Sequence, residues 1–157
     1  MNQSRRTFLK ASLAVGGVAV AAGAGLLAPS RVLAASWPDK AFAATSVKDA
    51  LSILEGSADT TESKDISVDA PDIAENGAVV SIGVETSLPS TESISIMVPK
   101  NANPLAAQYL LSKDAEGYIN LRVKMRETSD VIAVVQSNGK LYSAKKSVKV
   151  TLGGCGG

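Results

Sequence analysis

The sequence contains no histidine among its 157 residues. Histidine is the usual general base of enzymes and the commonest protein ligand of metal ions, so its absence excludes Ser-His-Asp and Cys-His catalytic arrangements. The sequence also lacks a glycine-rich loop placed before a helix, which is the arrangement that binds phosphate groups. We therefore predict a chain that is not itself an enzyme and that has no cofactor and no metal site.

Cysteine occurs only once, as Cys155, and four glycines surround it: Gly153, Gly154, Gly156 and Gly157. A single cysteine cannot form an internal disulfide, so its thiol is free, paired with another molecule or chemically loaded. Glycine has no Cβ and adopts either sign of φ, so residues 153–157 are predicted to form a slim, flexible arm that presents the thiol. The three residues from Leu152 to Cys155 span roughly 10 Å when extended. A frayed end without function and a covalent homodimer through Cys155 remain as alternatives.

Two adjacent arginines, Arg5 and Arg6, precede an uncharged apolar run from residue 11 to residue 27. This pattern is typical of a twin-arginine export signal, and the small residues before Ala34 suit cleavage after it. The alternative is a retained membrane anchor, but a run so rich in alanine and glycine is weakly hydrophobic for a span of about 20 residues. We therefore predict a signal peptide over residues 1–34 and a mature chain in the periplasm, free of the membrane.

Charge is distributed unevenly along the chain that follows the predicted signal peptide. This part carries 12 bases and 15 acids and hence a net charge of −3. A negatively charged chain is not expected to bind nucleic acid. Residues 36–98 carry three bases and 11 acids, whereas residues 99–157 carry nine bases and four acids. The arm therefore follows the basic half, which could hold an anionic group near the base of the arm or simply form a solvated face.

Residues 35–64 are predicted to form a short helix followed by a linker. Ser46 is a suitable N-cap, with Asp49 three residues later, and Gly56 suits the C-terminal end of the helix. Between them, four apolar residues follow the spacing of one helix face: Val47, Ala50, Leu51 and Leu54. The polar stretch from 57 to 64 is predicted to be a loop.

From residue 65 to residue 152, apolar residues alternate with polar ones, as they do in half-buried strands. Strands are predicted at 66–69, 80–85, 94–98, 119–126, 131–136, 141–144 and 148–152, with a weaker candidate at 109–111. Asn138-Gly139 is a strong hairpin signal between two of these strands. About seven short strands predict a mainly β chain with a single immunoglobulin-like antiparallel β-sandwich.

The C-terminal sequence VKVTLGGCGG, residues 148–157, resembles the end of the SoxY family, the sulfur-carrier subunits of bacterial thiosulfate oxidation. Three further segments are similar to that family: Pro71–Val80, Asn103–Ala106 and Lys140–Ala144. The resemblance extends from about residue 42 to the end of the chain, but only the GGCGG ending is specific for a function.

This resemblance implies that Cys155 carries sulfur intermediates covalently and presents them to other proteins. It implies a heterodimer with SoxZ, a second immunoglobulin-like subunit. It also implies three partner enzymes: a haem-containing oxidase that joins thiosulfate to the cysteine, a hydrolase that releases sulfate, and a sulfane dehydrogenase that oxidises the remaining sulfur.

Two other functions fit part of the pattern. An immunoglobulin-like binding or structural module with an incidental or dimer-forming thiol would be expected to expose large aromatic anchors, and only 4% of the residues are aromatic. Ubiquitin-like sulfur carriers end in Gly-Gly, as Gly156-Gly157 would, but their activation needs ATP, which an exported chain does not meet.

Overall fold

The computed structural model describes residues 37–152. The predicted export signal with Arg5 and Arg6, and the predicted arm with Cys155, lie outside the described residues. Within 37–152 the chain forms two short helices and nine strands. The elements are α1 Asp39–Ala43, α2 Val47–Glu55, β1 Thr61–Glu62, β2 Ile66–Asp69, β3 Ile73–Ala74, β4 Val80–Thr86, β5 Thr91–Met97, β6 Leu105–Leu110, β7 Tyr118–Val123, β8 Ser129–Ser137 and β9 Lys140–Val150.

The strands form two sheets. In the first sheet, β1, β9, β8, β5 and β6 lie side by side in that order, and β3 pairs with the C-terminal end of β9. The second sheet has the order β2-β4-β7. Neighbouring strands are antiparallel except for β1 and β3, which both run parallel to β9. The described residues are mainly β, and the prediction of an immunoglobulin-like sandwich is confirmed.

The main core lies between the two sheets and is built from aliphatic side chains. Its fully buried members include Ile82, Val84, Ile94, Ile96, Val131, Val135 and Val148. A second, smaller core lies on the other face of the first sheet, where the two helices pack: it joins Ala41, Ala50 and Leu51 to Met97, Leu105 and Val134. The first sheet is therefore covered on both faces.

Strand β5 corrects the prediction of a half-buried strand at 94–98. All residues from 93 to 97 are buried, polar and apolar alike. Ile94 and Ile96 belong to the core between the sheets, whereas Ser93 donates a hydrogen bond to Glu55 Oε1 of α2 at 3.3 Å. Because the helices cover the outer face of β5, the half-buried prediction is wrong for this strand.

The helix predicted after Ser46 is confirmed as α2. Ser46 Oγ accepts a hydrogen bond from the backbone N–H of Asp49 at 3.0 Å, and Gly56 ends the helix with a φ of +73°. Helix α1 was not predicted, and the predicted loop at 57–64 contains strand β1. A two-residue strand is too short to show an alternation of apolar and polar residues, and its pairing partner is distant in the chain. The sequence therefore could not indicate it. No helix within 37–152 is long and apolar enough to span a membrane.

Asn138 and Gly139 form the turn between β8 and β9, as predicted, with φ angles of +50° and +68°. Two successive positive φ angles define the tight hairpin turn that this dipeptide favours. The strands predicted at 141–144 and 148–152 are one 11-residue strand, β9, which ends at Val150. Pairing with β8 continues without a break from Lys140 to Val148, so the polar residues at 145–147 stay in the sheet. The weaker candidate at 109–111 is the end of β6.

Candidate functional site

The site is the point where the chain leaves the sandwich towards Cys155, at the C-terminal end of β9. Residues 72–77, named here the clamp loop, lie beside this end of β9 and include β3, whose Ile73 and Ala74 pair in parallel with Lys149 and Val150. The backbone N–H of Lys149 donates to Asp72 O at 2.9 Å, and that of Thr151 donates to Ala74 O at 3.1 Å. Leu152 O accepts a hydrogen bond from the N–H of Gly77 at 2.8 Å. The clamp loop thus holds the chain as far as Leu152, two residues beyond the end of β9.

Thr128 holds the same end of the chain from the loop that precedes β8. Its Oγ1 accepts a hydrogen bond from the backbone N–H of Val150 at 3.0 Å and donates to Val150 O at 3.4 Å. The side chain of Thr151 adds a hydrogen bond from its Oγ1 to Glu75 O at 3.1 Å. Side-chain and backbone bonds from two separate loops therefore converge on the last residues before the predicted arm.

The clamp loop is itself fixed to the second sheet. Asn76 Oδ1 accepts a hydrogen bond from the N–H of Ala78 at 2.8 Å, which is a local turn that asparagine favours. Gly77 O accepts a hydrogen bond from the N–H of Met125, a fully buried core residue, at 2.7 Å. Leu152 is consequently linked through Gly77 to the core of the sandwich. The distance from this fixed point to Cys155 is three residues, or roughly 10 Å at most.

Exposed apolar side chains lie on the segments that meet here. Ile73 of β3 is 57% exposed, Val79 after the clamp loop is 59% exposed, and Leu152 is 69% exposed. We name these three residues the tail-root patch. A cavity of 410 Å³ lies beside it, lined by residues of the clamp loop and its flanks, among them Pro71, Ala74 and Val79.

Charges of both signs surround the tail-root patch. Lys146 of β9 forms an ion pair with Asp72 of the clamp loop, with 3.2 Å between Nζ and Oδ1. The carboxylate is 88% exposed, so the pair adds little to stability. Glu75 and Lys149 are also exposed. The basic character expected from the C-terminal half is therefore offset at this point, because the clamp loop brings acids from the other half.

A larger cavity of 590 Å³ lies away from this end of β9, between α2, β1 and the middle of β9. Its lining mixes apolar Val47 and Leu51 with Lys48, Thr60 and Lys145. Within 37–152, no group of three or more His, Cys, Asp or Glu residues is placed to hold a metal ion.

Cys155 and its glycines are predicted from the sequence, but the residues that hold the chain before them are not. The clamp loop falls within Pro71–Val80, a segment that resembles the SoxY family. Asn76-Gly77 is a turn signal in that segment, but nothing local indicates that the turn would bond to Leu152. Thr128 has no sequence signal of this role.

The described residues define a class: an immunoglobulin-like β-sandwich whose last strand is held at its C-terminal end by two loops and is followed in the sequence by a cysteine among glycines. The family model for the sulfur oxidation protein SoxY matches residues 51–155 of the sequence. The chain belongs to the SoxY family. This match covers the sandwich and reaches Cys155.

Solved structures extend the comparison. The sulfur carrier protein SoxY from Chlorobium limicola f thiosulfatophilum is 40% identical, with a TM-score of 0.62 over 68% of this chain and 96% of that chain. A superoxide reductase, neelaredoxin, from Ignicoccus hospitalis is 17% identical, with a TM-score of 0.49 over 54% of this chain and 79% of that chain. No curated protein gives a significant match.

Proposed function

We propose that this SoxY-family chain is a periplasmic sulfur carrier that holds sulfur intermediates covalently on Cys155. The observation that carries the proposal is the position of the only thiol: it lies three residues beyond Leu152, the last residue that the clamp loop holds, and five residues beyond Val150, which Thr128 holds. The 40% identity to a sulfur carrier supports the same role. Cys155 binds the sulfur intermediate, the arm brings it to partner enzymes, and those enzymes catalyse the reactions.

The proposed loading step joins Cys155 to thiosulfate. A new S–S bond forms between Sγ and the outer sulfur of thiosulfate, the thiol proton is released, and the haem-containing loading oxidase would accept the two electrons, one at a time. Water then attacks the terminal sulfonate sulfur in a hydrolase, which releases sulfate and a proton and leaves a persulfide on Cys155. The remaining sulfane sulfur is the substrate of a dehydrogenase. None of these reaction steps requires a general base from the carrier, whose sequence contains no histidine.

The mass of the C-terminal peptide tests this proposal. In protein purified from cells that oxidise thiosulfate, we expect Cys155 to carry added sulfur or a thiosulfonate group that a reductant removes. An immunoglobulin-like module with an incidental thiol would instead give the unmodified peptide or a disulfide-linked dimer. Finding only these two forms in actively oxidising cells would overturn the carrier function.

The proposal includes export together with a SoxZ-like partner subunit. No cofactor is predicted for this chain, so cofactor insertion gives no reason for a pathway that exports folded proteins, whereas prior assembly with a subunit does. Changing Arg5→Lys and Arg6→Lys together is expected to keep this chain and its partner in the cytoplasm. Fractionation followed by detection of both subunits measures the effect, with a Lys10→Arg variant as a control that leaves the arginine pair intact. A partner that reaches the periplasm in the double-lysine strain would contradict joint export.

A further inference from the structure

The short distance between Leu152 and Cys155 limits how far a partner enzyme can stay from the sandwich. Leu152 O is bonded to Gly77, and only three residues separate Leu152 from Cys155. Even when fully extended, they place Sγ roughly 10 Å from Leu152. An enzyme that takes this thiol into a recessed active site must therefore bring the rim of that site against the surface around Leu152.

The segments that such a rim would cover carry exposed apolar side chains. Among residues 37–152, seven large hydrophobic side chains are exposed, and three of them form the tail-root patch. Isolated exposed apolar residues are normal on any protein, but Ile73, Val79 and Leu152 come from segments that hydrogen bonds bring together. Ile73 pairs with Lys149, and Gly77, which bonds to Leu152, lies two residues before Val79.

We propose that the tail-root patch is the docking surface for the enzymes that load and unload Cys155, and that its occupant is an apolar rim around the entrance to their active sites. This inference rests on the proposed carrier function. The patch is small, and small interfaces are typical of transient encounters. A carrier that visits several enzymes in turn needs contacts of this kind, because each complex must dissociate before the next can form. The patch must also stay uncovered in the heterodimer, so the partner subunit binds elsewhere.

The charges at the site favour an apolar contact over electrostatic selection. Asp72 and Glu75 stand beside Lys146 and Lys149, so a partner of either sign would meet like charges. The apolar side chains at the same place do not repel a charged partner. Specific docking at this surface therefore depends on Ile73, Val79 and Leu152.

The test is a combined variant, Ile73→Thr with Val79→Thr and Leu152→Gln, in the mature chain bound to its partner subunit. Threonine keeps a β-branched shape in and beside the strands, so folding should be preserved. For loading by the haem-containing oxidase, we expect KM to rise about tenfold with little change in kcat, because docking is weakened while the arm is intact. Reaction of Cys155 with a small aromatic disulfide reagent needs no docking and should be unchanged.

The matched control is Leu110→Gln, which changes a residue that is 70% exposed at the far end of the first sheet. The register places Leu110 level with Leu141 across β5 and β8, and Leu141 lies 11 residues before Leu152, or about 36 Å along a strand. This variant should load as the wild type does.

If the combined variant is loaded with a KM within about twofold of the wild type, the patch is not the docking surface, although the carrier function stands. If the combined variant also reacts more slowly with the small reagent, the effect lies in the thiol itself, and the docking proposal fails. A wild-type chain that the oxidase cannot load would refute the carrier function instead.

Discussion

Replacing Cys155 with serine is expected to abolish the turnover of sulfur compounds in a reconstituted system, down to the level measured without this chain. A serine hydroxyl cannot form the S–S bond that holds the intermediate, and no other thiol is present to take its place. Turnover of thiosulfate with the purified partner enzymes measures the effect. This is the largest change that we expect from a single substitution.

The same variant should fold as the wild type does. Among residues 37–152, the side chains of the two cores lie between Ala41 and Val150. A cysteine flanked by two glycines on each side is not expected to add to a core. We expect the free energy of unfolding to change by less than about 0.5 kcal/mol, as is usual for substitutions outside a core. Turnover that persists in a folded Cys155→Ser variant would refute the role assigned to the thiol.

The second large effect is expected from valine in the arm. Gly154→Val and Gly156→Val each add two methyl groups next to Cys155, restrict χ1 and disfavour positive φ. If the arm enters narrow active sites, the rate of loading at saturating enzyme should fall between about tenfold and a hundredfold, since small misplacements of a reacting group have effects of this size. The thermal midpoint should stay unchanged.

Alanine at the same two positions provides a graded control, because it adds one methyl group and no branching. We expect Gly154→Ala and Gly156→Ala to give a smaller loss than valine. The arm variants should lower kcat, whereas the tail-root variants should raise KM, so the two sets of measurements separate entry from docking. Valine variants that load at the wild-type rate would mean that the glycines have no steric role.

The elements that the sequence predicted correctly are those with local causes. Ser46 and Gly56 mark the ends of α2 because capping depends on residues within one turn of the helix. Asn138-Gly139 marks the β8–β9 turn because its backbone conformation is local as well. The alternation of apolar and polar residues predicted β2, β4 and β7, because this pattern is also local to each strand.

The elements that were missed or wrong depend on residues far away in the chain. Strand β5 is buried on both faces only because α2, about 40 residues earlier, packs against it. Strands β1 and β3 exist only through their parallel pairing with β9. The candidate site divides in the same way. Cys155 is predicted because it is the only cysteine and because the GGCGG ending resembles the SoxY family, whereas the bonds from Gly77 and Thr128 join segments that no local pattern connects.

In the proposed docked complex, the hydrogen bonds that hold the chain as far as Leu152 would also set the effective concentration of the thiol. They shorten the free tether to the three residues that end at Cys155, and short tethers give effective concentrations in the millimolar range. If the clamp loop and Thr128 released the chain back to Val148, the tether would be seven residues long. Because effective concentration falls roughly as the −3/2 power of tether length, the thiol would then be about three- to fourfold more dilute at the enzyme's reacting group. In the proposed carrier, the hydrogen bonds of two surface loops would thus change the probability of each transfer without any contact with the sulfur atom.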